Sequence, residues 1–242
     1  MTLARSLLFN LLFFAFTGVA LIACLPLMPL LDRAGRLALM AWWAERVLGL
    51  LRLTAGIRLR VTGAEHLPAE EPALIAAKHQ SAFDTIVWLA LLPRPAYVLK
   101  RELLWIPLYG WYVRAAGMIA VDRGAGPAAI RHLMRAGEAA LAEGRQIVIF
   151  PEGTRTAPGE RRPYQPGIAA LYARSGLPVI PVATDSGLYW GRRAFRKRPG
   201  TITVAVLPPI PPGLPRDEML ERLEAAIEGE TDRLLASAPP SA

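Results

Sequence analysis

Residues 73–91 read ALIAAKHQSAFDTIVWLAL, and the fold is decided there. Ala73–Ala77 is a short apolar run with the length and character of a strand. Thr85–Leu91 is apolar again and reads as a helix. Between them, Lys78-His79-Gln80-Ser81-Ala82-Phe83-Asp84 gathers a lysine, a histidine and an aspartate at the point where a strand would hand over to a helix. Working outward, the same alternation recurs. Apolar, β-branched runs predict strands near Ile57–Thr62, Tyr97–Leu99, Met118–Val121, Ile147–Phe150, Val179–Val182 and Ile202–Leu207. Helical patterns lie between them. Ala128–Glu143 puts Ile130, Leu133, Met134 and Leu141 on one face, and Gly144 ends it. Gly167–Ser175 stops at Gly176, and Asp217–Leu235 opens on acids that suit a helix N-terminus. This order predicts an α/β fold, a mainly parallel sheet of about seven strands covered by helices. It forms one domain over residues 56–242, with Pro208–Pro215 joining the last strand to the last helix. The tail after Ser237 is expected to fray.

Residues 1–55 differ in kind. No charged residue occurs from Ser6 to Leu31, a run that reaches about 39 Å as a helix against about 30 Å of bilayer hydrocarbon. Pro26 and Pro29 can end it early, so it spans the membrane at a tilt or enters without crossing. Leu21-Ile22-Ala23-Cys24 also resembles a lipobox, which leaves a cleaved signal as the alternative. The run continues apolar after Cys24, however, and exceeds the 7–15 residues of a signal core. A second segment, Leu37–Leu53, carries Trp42, Trp43, Glu45, Arg46 and Arg52. It reads as an amphipathic helix in the membrane interface, or else as a core helix of the domain. Arg33, Arg36, Arg46 and Arg52 outweigh Arg5 and the amino terminus, which places the globular part on the cytoplasmic side of the inner membrane.

Composition narrows the partners. The net charge of +8 favours an anionic one, and 53% hydrophobic residues suit a membrane surface better than nucleic acid. Lys78, Lys100 and Lys197 are the only lysines; so strong an arginine bias fits a GC-rich coding sequence and weakens the charge as evidence. Cys24 is the single cysteine, which excludes an intrachain disulfide and any CxxC metal site. With only His66, His79 and His132 besides, no metal is expected.

Two constellations carry chemistry. His79 and Asp84 lie five residues apart, about 140° around a regular helix, so within a helix they would not meet. Here the histidine precedes the helix and the aspartate occupies its first turn. A carboxylate so placed reaches back, holds one imidazole nitrogen and leaves the other as a base. Ser81-x-x-Asp84 is equally a capping box, which would explain the aspartate without catalysis. The second constellation is Phe150-Pro151-Glu152-Gly153-Thr154-Arg155, at the end of another strand, where ligands of parallel sheets bind. Glycine admits close backbone approach, and arginine forks onto a phosphate. Glu152 either holds Arg155 in a turn salt bridge or accepts from a substrate hydroxyl.

His79–Asp84, then Gly117-Met118-Ile119-Ala120-Val121-Asp122-Arg123, then FPEGTR at 150–155, then Val179-Ile180-Pro181-Val182-Ala183 follow in that order. From about Val61 to Leu207 the chain thus resembles the glycerolipid acyltransferases, best known from the 1-acyl-glycerol-3-phosphate acyltransferases. An apolar N-terminal anchor also fits that family, as do Lys100-Arg101-Glu102-Leu103 and Ile106–Trp111. The resemblance implies His79 as general base and Asp84 as its orienter. It implies a glycerol-phosphate site at Glu152, Gly153, Thr154 and Arg155, with Arg123 and Lys100 as further anion contacts, and Val179–Ala183 as a mainly structural segment near the acyl donor. The implied reaction moves an acyl chain from acyl-CoA or acyl carrier protein, as co-substrate and with no resident cofactor, to the sn-2 hydroxyl of lysophosphatidate. Relatives acylate other lyso-lipids, including lyso-ornithine lipid, so the acceptor stays open. With no Gly-x-Ser-x-Gly elbow and Cys24 in the anchor, a covalent acyl-enzyme is not expected. Trp190–Arg198 is a basic, aromatic-flanked stretch suited to anionic headgroups, to an acidic carrier protein, or to plain solvation; no nucleic-acid motif accompanies it.

Overall fold

The computed structural model describes residues 2–238. Most of the predicted tail after Ser237 lies outside the described residues. In chain order the elements are α1 (Thr2–Cys24), α2 (Arg33–Leu50), β1 (Ile57–Thr62), β2 (Ala73–Ala77), α3 (Phe83–Leu91), β3 (Pro95–Lys100), α4 (Tyr109–Ala115), β4 (Ile119–Val121), α5 (Pro127–Ala142), β5 (Gln146–Ile149), α6 (Pro166–Ser175), β6 (Val179–Thr184), α7 (Ser186–Tyr189), β7 (Gly200–Val206) and α8 (Arg216–Ser237).

The strands form one sheet in the order β1-β7-β6-β2-β5-β3-β4. Every neighbouring pair is parallel except β6 and β7. Strand β2 is central, with Ile75 paired to Val148 on one side and Ile180 on the other. Its residues are all buried, as expected for a strand covered on both faces. The pleat then sorts side chains. Ile75 points into a core with Trp88, Val148 and Val204, while Leu74 and Ala76 join a second core with Leu133, Ile168 and Leu223 from α5, α6 and α8. Because β2, β3, β4, β5 and β6 run the same way, their ends open on one edge. Residues scattered from 78 to 193 converge there.

Helix α1 is apolar and long enough to cross a membrane. It ends at Cys24, earlier than the uncharged run does. Pro26 supplies no N–H for the next turn, and the chain passes into a 3-10 turn at Leu25–Leu27. Most of α1 is exposed, but one stripe docks on the domain: Phe9 is fully buried, edge-on to Trp190 at 5.2 Å. Arg5 Nε donates to Thr54 O at 2.8 Å. Helix α2 buries Leu37, Ala44 and Val47 against the domain and leaves Trp42, Glu45 and Arg46 exposed. The core-helix alternative thus holds for the buried face of this segment, and its other face is exposed. Phe9, Ala44, Val47 and Leu51 share one core with Ile57, Ile75 and Val204. The sheet begins at Ile57, and the hydrophobic core runs across the boundary expected at residue 55.

Candidate active site

His79 follows β2, at the edge where the parallel strands end. Its Nδ1 lies 3.1 Å from Asp84 Oδ2. The same oxygen accepts from the backbone N–H groups of Gln80 and Ser81, at 2.7 Å each. Asp84 is 3% exposed, so this carboxylate is held by three donors away from water. The cap position of α3, Ala82, carries no side-chain cap; the aspartate instead gathers the backbone of the turn before the helix and, through the same atom, holds the imidazole. With its proton on Nδ1, the ring keeps a lone pair on Nε2. The backbone of His79 is also pinned, because its carbonyl accepts from Thr156 N at 2.8 Å and Thr156 Oγ1 at 3.2 Å. Phe150 stacks on the imidazole with centroids 4.0 Å apart and planes 18° apart. Sequence reasoning misses both contacts. Their only trace there is an aromatic directly before Pro151-Glu152-Gly153.

His79 lines a cavity of about 510 Å³, within the range of small-molecule sites. Part of its wall is apolar and comes from the two N-terminal helices: Ala20, Leu21 and Cys24 of α1, and Leu39, Met40 and Trp43 of α2. Lys100, Arg123, Gly153, Thr154 and Arg155 all line it as well. Gly153 has φ +67°, and a β-carbon there would sit 3.0 Å from Gln165 Cγ and 3.4 Å from the Arg123 guanidinium. The positive φ therefore favours glycine at this turn, and Arg123 donates to Gly153 O. Arg155 is half-buried and has no carboxylate within ion-pair distance among the described residues. Burial pushes its pKa down, opposed by the charge of Asp84.

Glu152 departs from the expectation. Its side chain does not line the cavity and does not hold Arg155. It turns into the protein interior, 3% exposed, where Lys78 Nζ stands 3.2 Å from Oε1. Lys78 donates instead to both oxygens of Glu228 on α8, at 2.8 Å each, and Tyr164 OH donates to Glu228 at 3.0 Å. Neither Glu152 oxygen has a well-aligned hydrogen bond. Burial raises its pKa to about 7, against the pull of Lys78. The Glu152–Arg155 salt bridge is therefore absent among the described residues, and the Glu152 carboxyl sits behind the cavity wall beside Lys78. No local pattern reveals this, because Glu228 is 150 residues from Lys78.

Comparison with known proteins gives the family. The family model described as "Acyltransferase" matches residues 58–185. The chain is 39% identical over 166 residues to a Pseudomonas aeruginosa protein named 1-acyl-sn-glycerol-3-phosphate acyltransferase, covering 69% of this chain and 64% of that one. It is 33% identical over 167 residues to the human 1-acyl-sn-glycerol-3-phosphate acyltransferase alpha, covering 68% and 59% respectively. Among solved structures, the Thermotoga maritima 1-acyl-sn-glycerophosphate acyltransferase PlsC superposes with a TM-score of 0.81 over 99% of this chain and all of that one, at 24% identity, and shares the fold. The chain spans about two thirds or less of these two curated relatives. With the family match extending over more than half of its 242 residues, the protein belongs to the acyltransferase family.

Proposed function

We propose that the protein transfers an acyl chain from a thioester to the sn-2 hydroxyl of 1-acyl-glycerol-3-phosphate, giving phosphatidic acid. The observation that carries this reading is the Asp84-held imidazole in a cavity whose lining is apolar on the helix side and cationic on the sheet-edge side. His79 Nε2 takes the hydroxyl proton as the oxygen attacks the thioester carbonyl. The tetrahedral intermediate collapses, the carbon–sulfur bond breaks, and the imidazolium returns its proton to the departing thiolate. Thiols near pKa 8.5 leave readily, so little further acid assistance is needed. Asp84 stabilises the imidazolium throughout. Arg155, with Arg123, Lys100, Gly153 and Thr154, binds the acceptor phosphate. Glu152, behind the cavity wall, does not touch substrate. The lyso-lipid's acyl chain occupies the apolar part of the cavity, so α1 and α2 serve as both membrane attachment and site wall.

The same reading puts the protein in the inner membrane with its domain on the cytoplasmic side, supported by Arg33, Arg36, Arg46 and Arg52 just after α1. The test is a grid of acceptors and donors on the purified full chain. Lysophosphatidate, a phosphate-free lyso-lipid and lyso-ornithine lipid are each combined with acyl-CoA and acyl carrier protein, scoring thiol release and product. Lysophosphatidate should be the best acceptor. Faster turnover of lyso-ornithine lipid or of the phosphate-free lyso-lipid would reject the assignment.

A further inference from the structure

Five cations line the cavity, Lys100, Arg123, Arg155, Arg192 and Arg193, and among the described residues no carboxylate lines it with them. The first three stand in the proposed acceptor phosphate site. Arg192 and Arg193 come from the loop after α7, and the loop that carries Arg155 reaches across to meet them. Thr156 N donates to His79 O at 2.8 Å, which takes that loop past the end of β2. Pro158 then packs on α7, where a β-carbon at Gly187 would sit 2.9 Å from Pro158 Cγ. Gly187 N in turn donates to Gln80 Oε1 at 3.0 Å. The His79 turn, the Arg155 loop and α7 are thus packed together.

The charges meet accordingly. Burial pushes the pKa of Arg155 down, Asp84 opposes it, and the positive charges of Arg192 and Arg193 push it down further. Arg192 also acts on Glu160 of the same loop, but that carboxylate is held first by Ala157 N at 2.9 Å and Arg162 Nε at 2.7 Å. Arg192 and Arg193 are exposed, and neither has an ion pair or hydrogen bond among the described residues. Their loop is fixed in place. Ala194 N donates to Gly191 O at 3.1 Å, closing a turn with the two arginines at its centre. Arg193 has φ +55°, where a turn favours glycine. Buried Lys197 ties the loop to α1, its Nζ donating to Asn10 Oδ1 at 2.7 Å and its N–H to Ser6 Oγ at 2.9 Å. Like charges held together repel and cost the empty protein stability. Such a cost, with backbone strain beside it, marks a ligand site, and the missing counter-charge is an anion's.

We propose that Arg192 and Arg193 complete the acceptor phosphate site with Arg155 and make it selective for a dianionic phosphate monoester over a singly charged phosphodiester. The inference rests on the acyl-transfer reading. A single negative charge offsets one guanidinium and leaves the others repelling each other. A phosphate monoester has a second pKa of about 6, so near neutral pH it carries close to two charges, on three free oxygens. That is enough to engage Arg155 and the arginine pair at once. A phosphodiester brings one charge and two free oxygens. Charge thereby separates lysophosphatidate from lyso-phospholipids whose phosphate carries a head group.

The test uses the purified full chain at about pH 8, where the monoester is a dianion. The acceptors are lysophosphatidate and its phosphomethyl ester, which keeps the acyl chain and glycerol but carries one charge. Wild type is compared with Arg192→Ala and Arg193→Gly, the glycine keeping the turn at φ +55° while removing the charge. Wild type should favour the monoester. Each variant should lower kcat/KM for lysophosphatidate by roughly 10-fold or more, the scale of a lost charged hydrogen bond. The loss on the methyl ester should be smaller, and the donor KM should hold. Combined with Arg155→Ala, the losses should fall short of additive, because the three groups hold one phosphate. The thermal midpoint without acceptor should hold or rise, since removing a charge relieves the repulsion. An equal loss on both acceptors, a raised donor KM, a lowered acceptor-free midpoint or undiminished preference for the monoester would each overturn the dianion site while leaving acyl transfer intact. Wild type that acylates neither acceptor would overturn both readings together.

Discussion

Replacing Glu152 by glutamine separates a carboxyl buried behind the cavity wall from a substrate ligand. Glutamine keeps the shape and an oxygen toward Lys78 while removing the ionisable group. In the folded protein the Glu152 carboxyl is held at about 7, against an ordinary value of 4.5. At about 1.4 kcal/mol per pH unit, that displacement corresponds to about 3 kcal/mol. The sign follows from linkage. Between these values the folded state binds the proton more tightly than the unfolded chain, so stability falls as pH rises. The contribution is complete below about 4.5 and gone above about 7. Glu152→Gln lacks this slope, and titrating groups not coupled to Glu152 cancel in the comparison. For a chain of this size about 1 kcal/mol moves the melting midpoint by roughly 2–4 °C. The midpoint of Glu152→Gln relative to wild type, in detergent, should therefore climb by roughly 6–12 °C between about pH 4.5 and 8. Turnover near neutral pH should stay close to wild type, because the side chain lies behind the cavity wall. A midpoint difference that does not change with pH would refute the burial argument. A collapse in acceptor kcat/KM with the fold intact would return Glu152 to the substrate.

Arg155→Ala should lower kcat/KM for lysophosphatidate by roughly 10- to 150-fold, the scale of a lost charged hydrogen bond, with the donor KM little changed. Arg155→Lys should recover only part, since an ammonium keeps the charge without the fork; undiminished preference for the phosphate-bearing acceptor in Arg155→Ala would refute the assignment. Phe9→Ala, at a fully buried contact between α1 and Trp190, should cost about 3–5 kcal/mol. A thermal midpoint in detergent equal to wild type would show that α1 attaches to the membrane without bracing the domain.

Legibility in the sequence tracks the range of the interactions. Strands β1 and β2 are visible residue for residue, because short apolar runs bounded by polar or turn residues depend only on neighbours. Strand β3 begins at Pro95, two residues before the predicted Tyr97. Prolines read as loop, but a first strand position tolerates one, and its carbonyl accepts from buried Arg145 at 2.6 Å. The His79–Asp84 contact is legible because a strand-to-helix turn constrains five residues tightly. The direction of Glu152 is not, since it depends on Lys78 already facing Glu228 across the fold. Nor does apolarity distinguish lipid from protein. Phe9 and Phe14 look alike in sequence, yet one is fully buried and the other 70% exposed.

The proposed acyl transfer uses His79 as the base, and its most direct measurement is the initial rate of lysophosphatidate-dependent thiol release by purified His79→Ala. General-base assistance is typically worth about 10²- to 10⁴-fold, and no second imidazole lines the cavity. The predicted result is a loss of that size with the thermal midpoint preserved. A folded His79→Ala protein turning over near the wild-type rate would contradict a base at this position.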